Sequence, residues 1–467
     1  MTIKQLRNRS WRWLLRSLVL PAGDLVFQQG MMEHLRFLGE AQWWPPERLH
    51  AYRNRQLQAL LKVAWREVPF YRALLDNARV RPEEIRGPGD LPRVPIVTKA
   101  MLRAGYPHLT TRKTGQRTYE ASSSGSTGAN FYVMEDAYTA GHYRAAFLLV
   151  LQWAGWDFGE PHLQTGMTLS RSWDRRFKDS LLRCHYVSAF DLDDDHLDRT
   201  LDLLERYEIS HLWGYPGSLY YLALRARQKG WNQKLQSVVT WGDNLYPPYR
   251  AAIEEAFGVR VFDTYGCGEG IQIAAQCGHG SRYHVHTSEV VVEYLDDDGL
   301  PVPAGETANL IVTRLHPGPM PLIRYRIGDL GIDGRPERCP CGRGFDLLAS
   351  IQGRDTDVVL TPAGNRLIVH FFTGILEHFH EIGCFQVVQK EPAAVLLRVV
   401  PADGCRVTPE VSGEIVRRLR EKGMQEMRID LETVPEIPVA PSGKRRFVIS
   451  EIARNAPRPR VEVSFGA

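Results

Sequence analysis

The sequence has no Walker-type Gly-x-x-x-x-Gly-Lys-Ser/Thr loop, no internal repeat, no low-complexity tract and no apolar run long enough to cross a bilayer. These absences remove the P-loop route to nucleotide chemistry, solenoid architectures and a spanning helix, which needs roughly 20 apolar residues. Strong charge of one sign is missing too. Its 58 basic against 54 acidic residues leave a formal charge of +4, which makes no electrostatic case for nucleic acid. Cysteine is sparse, at seven in 467 residues, and no cleavable signal pattern accompanies it. A reducing, cytoplasmic setting is therefore expected, with thiols used for metal or packing rather than disulfides. No Cys-x-x-Cys is present; Cys339 and Cys341 are one residue apart, unlike a thioredoxin-type redox pair.

What is present is an ordinary globular composition, 43% hydrophobic and 24% charged, in a chain long enough for two or more domains. The N-terminal stretch holds Lys4, Arg7, Arg9, Arg12 and Arg16 around an apolar run interrupted by Pro21. It reads either as a helix packed on the body or as a basic amphipathic helix in peripheral contact with an anionic membrane. "RNRQLQALLKVAWREVPFYRALLDNA" has helical apolar spacing, broken near Pro69. "SHLWGYPGSLYYLALRARQKG" predicts a short strand, a turn, and a helix with Pro216 in its first turn and Gly230 at its end.

Leu235 to Thr240, Pro247 to Phe257 and Val259 to Asp263 predict a strand, a helix and a strand, making a βαβ unit. Ligands of open α/β sheets bind beyond the carboxyl ends of the strands. Trp241 to Asn244 (WGDN) and Tyr265 to Gly270 (YGCGEG) then share one rim. The following stretch, about 285–350, alternates apolar and polar residues around Gly- and Pro-containing turns and predicts a small β subdomain. From about Gly353, short strands and one polar helix predict a separate α+β domain. The expected architecture is α/β: an N-terminal domain over 1–352, with several subdomains, and a small C-terminal domain over 353–467.

Several short motifs carry chemistry. "SSSGSTGAN" offers Ser123, Ser124, Gly125, Ser126, Thr127 and Gly128, whose hydroxyls and N–H groups suit an anion, though Ser/Gly turns are common and this one has no lysine. Asp329 in "YRIGDLG" can accept two ribose hydroxyls, or can simply bond its own turn. Arg354 in "GRDTD" suits a phosphate or ribose oxygen, or a surface ion pair. Lys444 in "PSGKRR" can meet a reacting carboxylate or phosphate oxygen, or belong to a solvated basic turn. Cys277, His284, Cys339 and Cys341, with His279 as the competing imidazole, form a donor set for tetrahedral structural Zn²⁺, the alternative being free buried thiols. Trp213, Tyr215, Trp241 and Gly242 lie near the expected rim as acyl-pocket candidates, though aromatic residues there can equally be packing.

The order of these motifs, from Ser/Thr/Gly loop through aromatic-Gly-x-x-Glu, Tyr-Arg-x-Gly-Asp-Leu and Gly-Arg-x-x-Asp to Pro-Ser-Gly-Lys, resembles the adenylate-forming superfamily. That superfamily holds acyl-CoA synthetases, peptide-synthetase adenylation domains and luciferases. "LQALLKVAWREVPFYRALL", "WGYPGSL" and "ERCPCGRG" look more like the phenylacetate–coenzyme A ligase branch, closest to its capsule-biosynthesis relatives. The resemblance implies an ATP-dependent ligase that joins a carboxylic acid to AMP and passes the acyl group to coenzyme A, or to an amine or hydroxyl. A nucleotide-binding relative without chemistry is the other class.

The resemblance also implies roles by position. The Ser/Thr/Gly loop embraces the β- and γ-phosphates of ATP, Glu269 holds Mg²⁺, and Tyr265, with Gly266 beside it, meets adenine. Asp243 lies near the adenine, Asp329 binds the ribose, Arg354 contacts ribose or phosphate, and Lys444 bridges the carboxylate and the α-phosphate. The C-terminal domain is expected to rotate about a hinge within Asp355 to Asp357. Ala129-Asn130, Gly268, Ile327 and Thr356 depart from the usual pattern.

Overall fold

The computed structural model describes residues 10–123, 131–166, 171–189, 191–354, 358–363, 366–376, 378–402, 404–437 and 446–452. The strands are β1 (Thr118–Ser123), β2 (Phe131–Asp136), β3 (His162–Gly166), β4 (Cys184–Ser188), β5 (His211–Gly214) and β6 (Ser237–Thr240). Then come β7 (Val261–Cys267), β8 (Ile271–Gln276), β9 (Tyr283–Val285), β10 (Val290–Leu295), β11 (Thr307–Arg314), β12 (Tyr325–Asp333) and β13 (Leu347–Arg354). The C-terminal part adds β14 (Val358–Leu360), β15 (Arg366–Ile368), β16 (Ile382–Glu391), β17 (Ala394–Pro401), β18 (Arg428–Thr433) and β19 (Val448–Ser450).

Helix Pro46–Glu67 buries Leu49, Leu57, Leu60, Leu61 and Ala64 as one stripe. It stops because Val68, ahead of Pro69, is extended (φ −120°, ψ 107°), and a new helix runs from Pro69 to Asn77. The expected strand-turn-helix is β5 followed by helix Pro216–Gln228, with Gly230 left-handed just beyond. At the N-terminus one face packs on the body: Arg12 meets Glu160 at 2.6 Å and Leu15 is buried, whereas Leu18, Leu25, Val26 and Phe27 remain exposed. Among the described residues no helix is long and apolar enough to cross a membrane.

Among the described residues, eleven strands form one sheet in the order β10-β11-β12-β13-β9-β8-β7-β6-β5-β3-β4. The half from β4 to β7 is parallel, because helices carry the chain back between strands; from β7 to β10 all pairs are antiparallel. The segment expected as a small β subdomain is therefore continuous with the α/β sheet. The join is β7, whose first half pairs with β6 and whose second half pairs with β8. The sequence shows alternation on both sides of this point but carries no mark of strand partnership.

Beyond β13 a second core gathers Phe372, Phe385, Val387, Leu397, Ile415 and Val448 around the sheet β18-β17-β16-β19. Each such side chain contributes roughly 1.5–3 kcal/mol on burial, enough to hold a small α+β layer. Tyr246 and Tyr249, which follow the WGDN turn, reach this core through Phe447, the ring centroids of Tyr246 and Phe447 lying 4.5 Å apart.

Asp263 on β7 sits beneath the rim. It accepts from the hydroxyls of Thr240 and Tyr283 at 2.5 Å each. Burial pushes its carboxyl up to about 6, against the pull of those donors and Arg250. The folded state thus favours the protonated form, so this group's stabilisation is complete below about pH 4 and lost as pH rises through about 6. Asp263→Asn keeps an acceptor for one hydroxyl, turns its NH2 donor to the oxygen of the other, and does not ionise. Its stability relative to the parent should rise by roughly 2–3 kcal/mol between pH 4 and pH 7 in urea unfolding. An equal gap at both pH values would show that Asp263 does not titrate in this window.

Candidate active site

The carboxyl end of β7 and the length of β12 build the site together. Tyr265 donates its hydroxyl to Asp329 Oδ2 at 2.9 Å, and Arg354 Nε lies 3.8 Å from Asp329 Oδ1. Asp329 and Arg354 face each other in the β12–β13 register. The turn expected at Asp329 is instead part of strand β12, in which Gly328 takes a left-handed φ of +87° and a register shift follows at Leu330/Gly331. The WGDN turn closes this side. Gly353 lies beside Asn244, and Asp243 Oδ1 accepts the Asn244 N–H at 2.8 Å.

Glu269 occupies the other end of the site, 2% exposed. It accepts from the Tyr325 hydroxyl at 2.8 Å and pairs with Lys99 Nζ at 3.0 Å. Burial alone would raise its pKa, yet the Lys99 charge and the Tyr325 and Lys99 hydrogen bonds hold it below the ordinary glutamate value. Phe131, the first residue of β2, stacks on Tyr325 at 6.1 Å. The base of the β1–β2 hairpin therefore abuts Glu269. Ser124, Gly125, Ser126, Thr127 and Gly128 connect these strands and lie outside the described residues, as does the Ser123 side chain. Lys444 and the hinge residues Asp355 to Asp357 lie outside them too.

Gly266 continues β7 beside Tyr265; a Cβ there would meet the Ile271 carbonyl at 2.7 Å. Gly270 has a stricter role. Its φ is +75°, and a Cβ would meet the Glu135 carboxylate at 2.8 Å, where Glu135 pairs with buried Arg314.

Of the acyl-pocket candidates, Tyr215 and Gly242 come together, a Cβ on Gly242 falling 2.6 Å from the Tyr215 ring. Trp241 packs edge-on against Phe147. Trp213 departs from the expectation: it is 4% exposed and stacks on His162 at 4.0 Å, in the hydrophobic layer with Trp156.

Cys277, His284, Cys339 and Cys341 converge, their ligand atoms all within 4.8 Å of one another. Cys277 and Cys339 sulfurs are 3.6 Å apart, and Cys341 Sγ is 3.3 Å from His284 Nε2. Zn–S of about 2.3 Å and Zn–N of about 2.0 Å at tetrahedral angles need separations of about 3.8 Å and about 3.6 Å, so the donor set fits Zn²⁺. His279 contributes its backbone N–H to the Cys277 sulfur at 3.3 Å, which leaves His284 as the imidazole of the cluster.

This architecture has known relatives. The chain is 28% identical over 342 residues to phenylacetate–coenzyme A ligase of Thermus thermophilus, covering 70% of this chain and 75% of the relative. To the Escherichia coli enzyme of the same name it is 26% identical over 305 residues, covering 61% and 67%. The fold superposes on a crystal structure of 2-hydroxyisobutyryl-CoA ligase in the postadenylation state with a TM-score of 0.72 at 22% identity, over 89% of this chain and 93% of that one. Residues 359–451 match the family described as the CapK C-terminal domain. The chain is similar to phenylacetate–coenzyme A ligases and shares the fold of 2-hydroxyisobutyryl-CoA ligase.

Sequence reading missed Lys99. It is the first helical residue after the N-cap Thr98, whose hydroxyl accepts the Met101 N–H at 3.3 Å. The string "VTKA" shows the cap, but nothing in it shows a partner that folding brings from the far end of β7. Tyr325 was visible only as the aromatic before Arg326. Glu269→Gln should keep the shape of the site and remove its charge. Pyrophosphate release is expected to fall about 100-fold or more, with the Mg²⁺ requirement raised, as read by a magnesium titration. Unchanged magnesium dependence would remove Glu269 from that role.

Proposed function

We propose that this protein joins a carboxylic acid to ATP and then hands the acyl group to the thiol of coenzyme A. In the first step a carboxylate oxygen attacks the α-phosphorus and the bond to the β-phosphate breaks, giving acyl-adenylate and pyrophosphate. In the second a thiolate attacks the acyl carbon and AMP departs. The observation that carries this reading is the joined pair of clusters on β7 and β12: Tyr265–Asp329–Arg354 at one end and Tyr325–Glu269–Lys99 at the other.

In this reading Asp329 takes the ribose hydroxyls, Tyr265 and Asp243 border the adenine, and Arg354 meets ribose or phosphate. The Ser/Thr/Gly loop receives the β- and γ-phosphates. Glu269 supplies the carboxylate oxygen for Mg²⁺, whose contribution when bound is to neutralise charge on the phosphates. Lys99 keeps that carboxylate ionised and fixed within a buried setting. Lys444 stabilises the charge that moves between carboxylate and α-phosphate. Cys277, His284, Cys339 and Cys341 would hold Zn²⁺, which when bound would staple the stretch after β8 to the turn before β13.

The second acceptor reading is transfer to an amine or hydroxyl. ATP–pyrophosphate exchange across a panel of carboxylic acids tests the first step, and consumption of the trapped adenylate by coenzyme A or by amines tests the second. Exchange with no acid while ATP still binds would point to a nucleotide-binding relative without chemistry.

A further inference from the structure

A second cluster of metal-type donors stands apart from the cysteines. Helix Met31–Ala41 packs on helix Ala137–Trp153, and the turn that leads into β10 runs beside both. His34, His142 and Glu289 meet there. His34 Nε2 is 2.9 Å from Glu289 Oε2, across 255 residues of sequence, and His142 Nδ1 is 3.5 Å from the same oxygen. The three donor atoms all lie within 4.8 Å of one another. His34 and His142 stack at 3.6 Å, and His316 stacks on His142 at 4.3 Å. The His34, His142 and Glu289 side chains are only 9%, 16% and 12% exposed.

A plain ion pair leaves this arrangement unsatisfied. One carboxylate oxygen faces two imidazole nitrogens, and among the described residues His142 Nδ1 finds no well-formed hydrogen bond, its nearest acceptor being that shared oxygen at 3.5 Å. A buried polar atom so placed is destabilising. Beside it lies a cavity of about 20 Å³ bordered by His142, Glu289, His316, Thr139 and Arg314, room for one water. Arg314 does not oppose a cation unchecked, since it pairs with Glu135 at 2.8 Å.

Two imidazole nitrogens, one carboxylate oxygen and a water make a four-coordinate set suited to Zn²⁺. We propose that His34, His142 and Glu289 form a second zinc site, which ties the N-terminal helix Met31–Ala41 to helix Ala137–Trp153 and to the edge of the sheet at β10. The same helix Ala137–Trp153 follows directly on β2, so the ion would brace the support of the Ser/Thr/Gly hairpin.

Cobalt substitution of the full-length wild-type chain tests this. Sulfur ligands give a near-ultraviolet charge-transfer band that a nitrogen- and oxygen-ligated ion lacks. The expected result is about two metal equivalents per chain, one of them adding visible ligand-field absorption without charge transfer. Combined His142→Ala and Glu289→Gln should lose that component and keep the sulfur band, and Cys339→Ser with Cys341→Ser should do the reverse. A wild-type chain whose bound cobalt is all sulfur-ligated overturns the proposal, as does a nitrogen- and oxygen-ligated component that persists in the His142→Ala, Glu289→Gln protein.

Discussion

Lys444→Ala is expected to lower carboxylate-dependent pyrophosphate release by about 100- to 1,000-fold, the loss typical when one positioned donor to developing charge is removed. Transfer from a preformed acyl-adenylate to the acceptor should stay within several-fold of the parent. The asymmetry follows from where the lysine acts in the proposed chemistry: it stabilises charge passing between carboxylate and α-phosphate, a step already complete in the preformed adenylate. Phe447, three residues further along the chain, packs against Tyr246 just beyond the WGDN turn, so the C-terminal part is anchored near that turn independently of Lys444. Unchanged thermal stability of the variant would separate lost chemistry from lost structure. Equal loss of both half-reactions would sink the assignment.

Cys339→Ser combined with Cys341→Ser is expected to release one zinc equivalent and to lower Tm by on the order of 10 °C, since even a third of the free energy of a structural zinc site is large beside the margin of a folded domain. The four donors connect the end of β8, β9 and the turn before β13, which sequence places far apart. Pyrophosphate release per folded molecule at 25 °C should be little changed, because none of these donors touches Glu269, Asp329 or Tyr265. Metal analysis with calorimetry reads the first effect, and the exchange assay reads the second. If parent and variant carry the same zinc and melt together, the cysteines are packing thiols.

Much of the framework was legible because local chemistry dictates it. The stop at Pro69, the strand and helix around Pro216, and the βαβ unit ending at β7 are written in apolar period and in residues with restricted backbones. Asp329, Arg354, Tyr265 and Glu269 were nameable from short motifs, and the structure places Asp329 and Arg354 on paired strands, with Tyr265 bonded to Asp329 and Glu269 bonded to Tyr325. Lys99, and the meeting of His34 with Glu289, were not legible, since each depends on residues with no local pattern joined by tertiary packing. Trp213 shows the opposite failure: an aromatic residue beside a rim motif can point either way from the sheet, and this one joins the core.

The dual partnership of β7 bears on how this protein can be cut. A fragment ending before β8 would leave the second half of β7 with bare N–H and C=O groups, and one beginning at β8 would expose that strand on its buried side. Neither piece could be expressed as a soluble module, because each would present an open edge to other chains. The boundary that can be severed lies after β13, where the C-terminal part has strands and an apolar centre of its own.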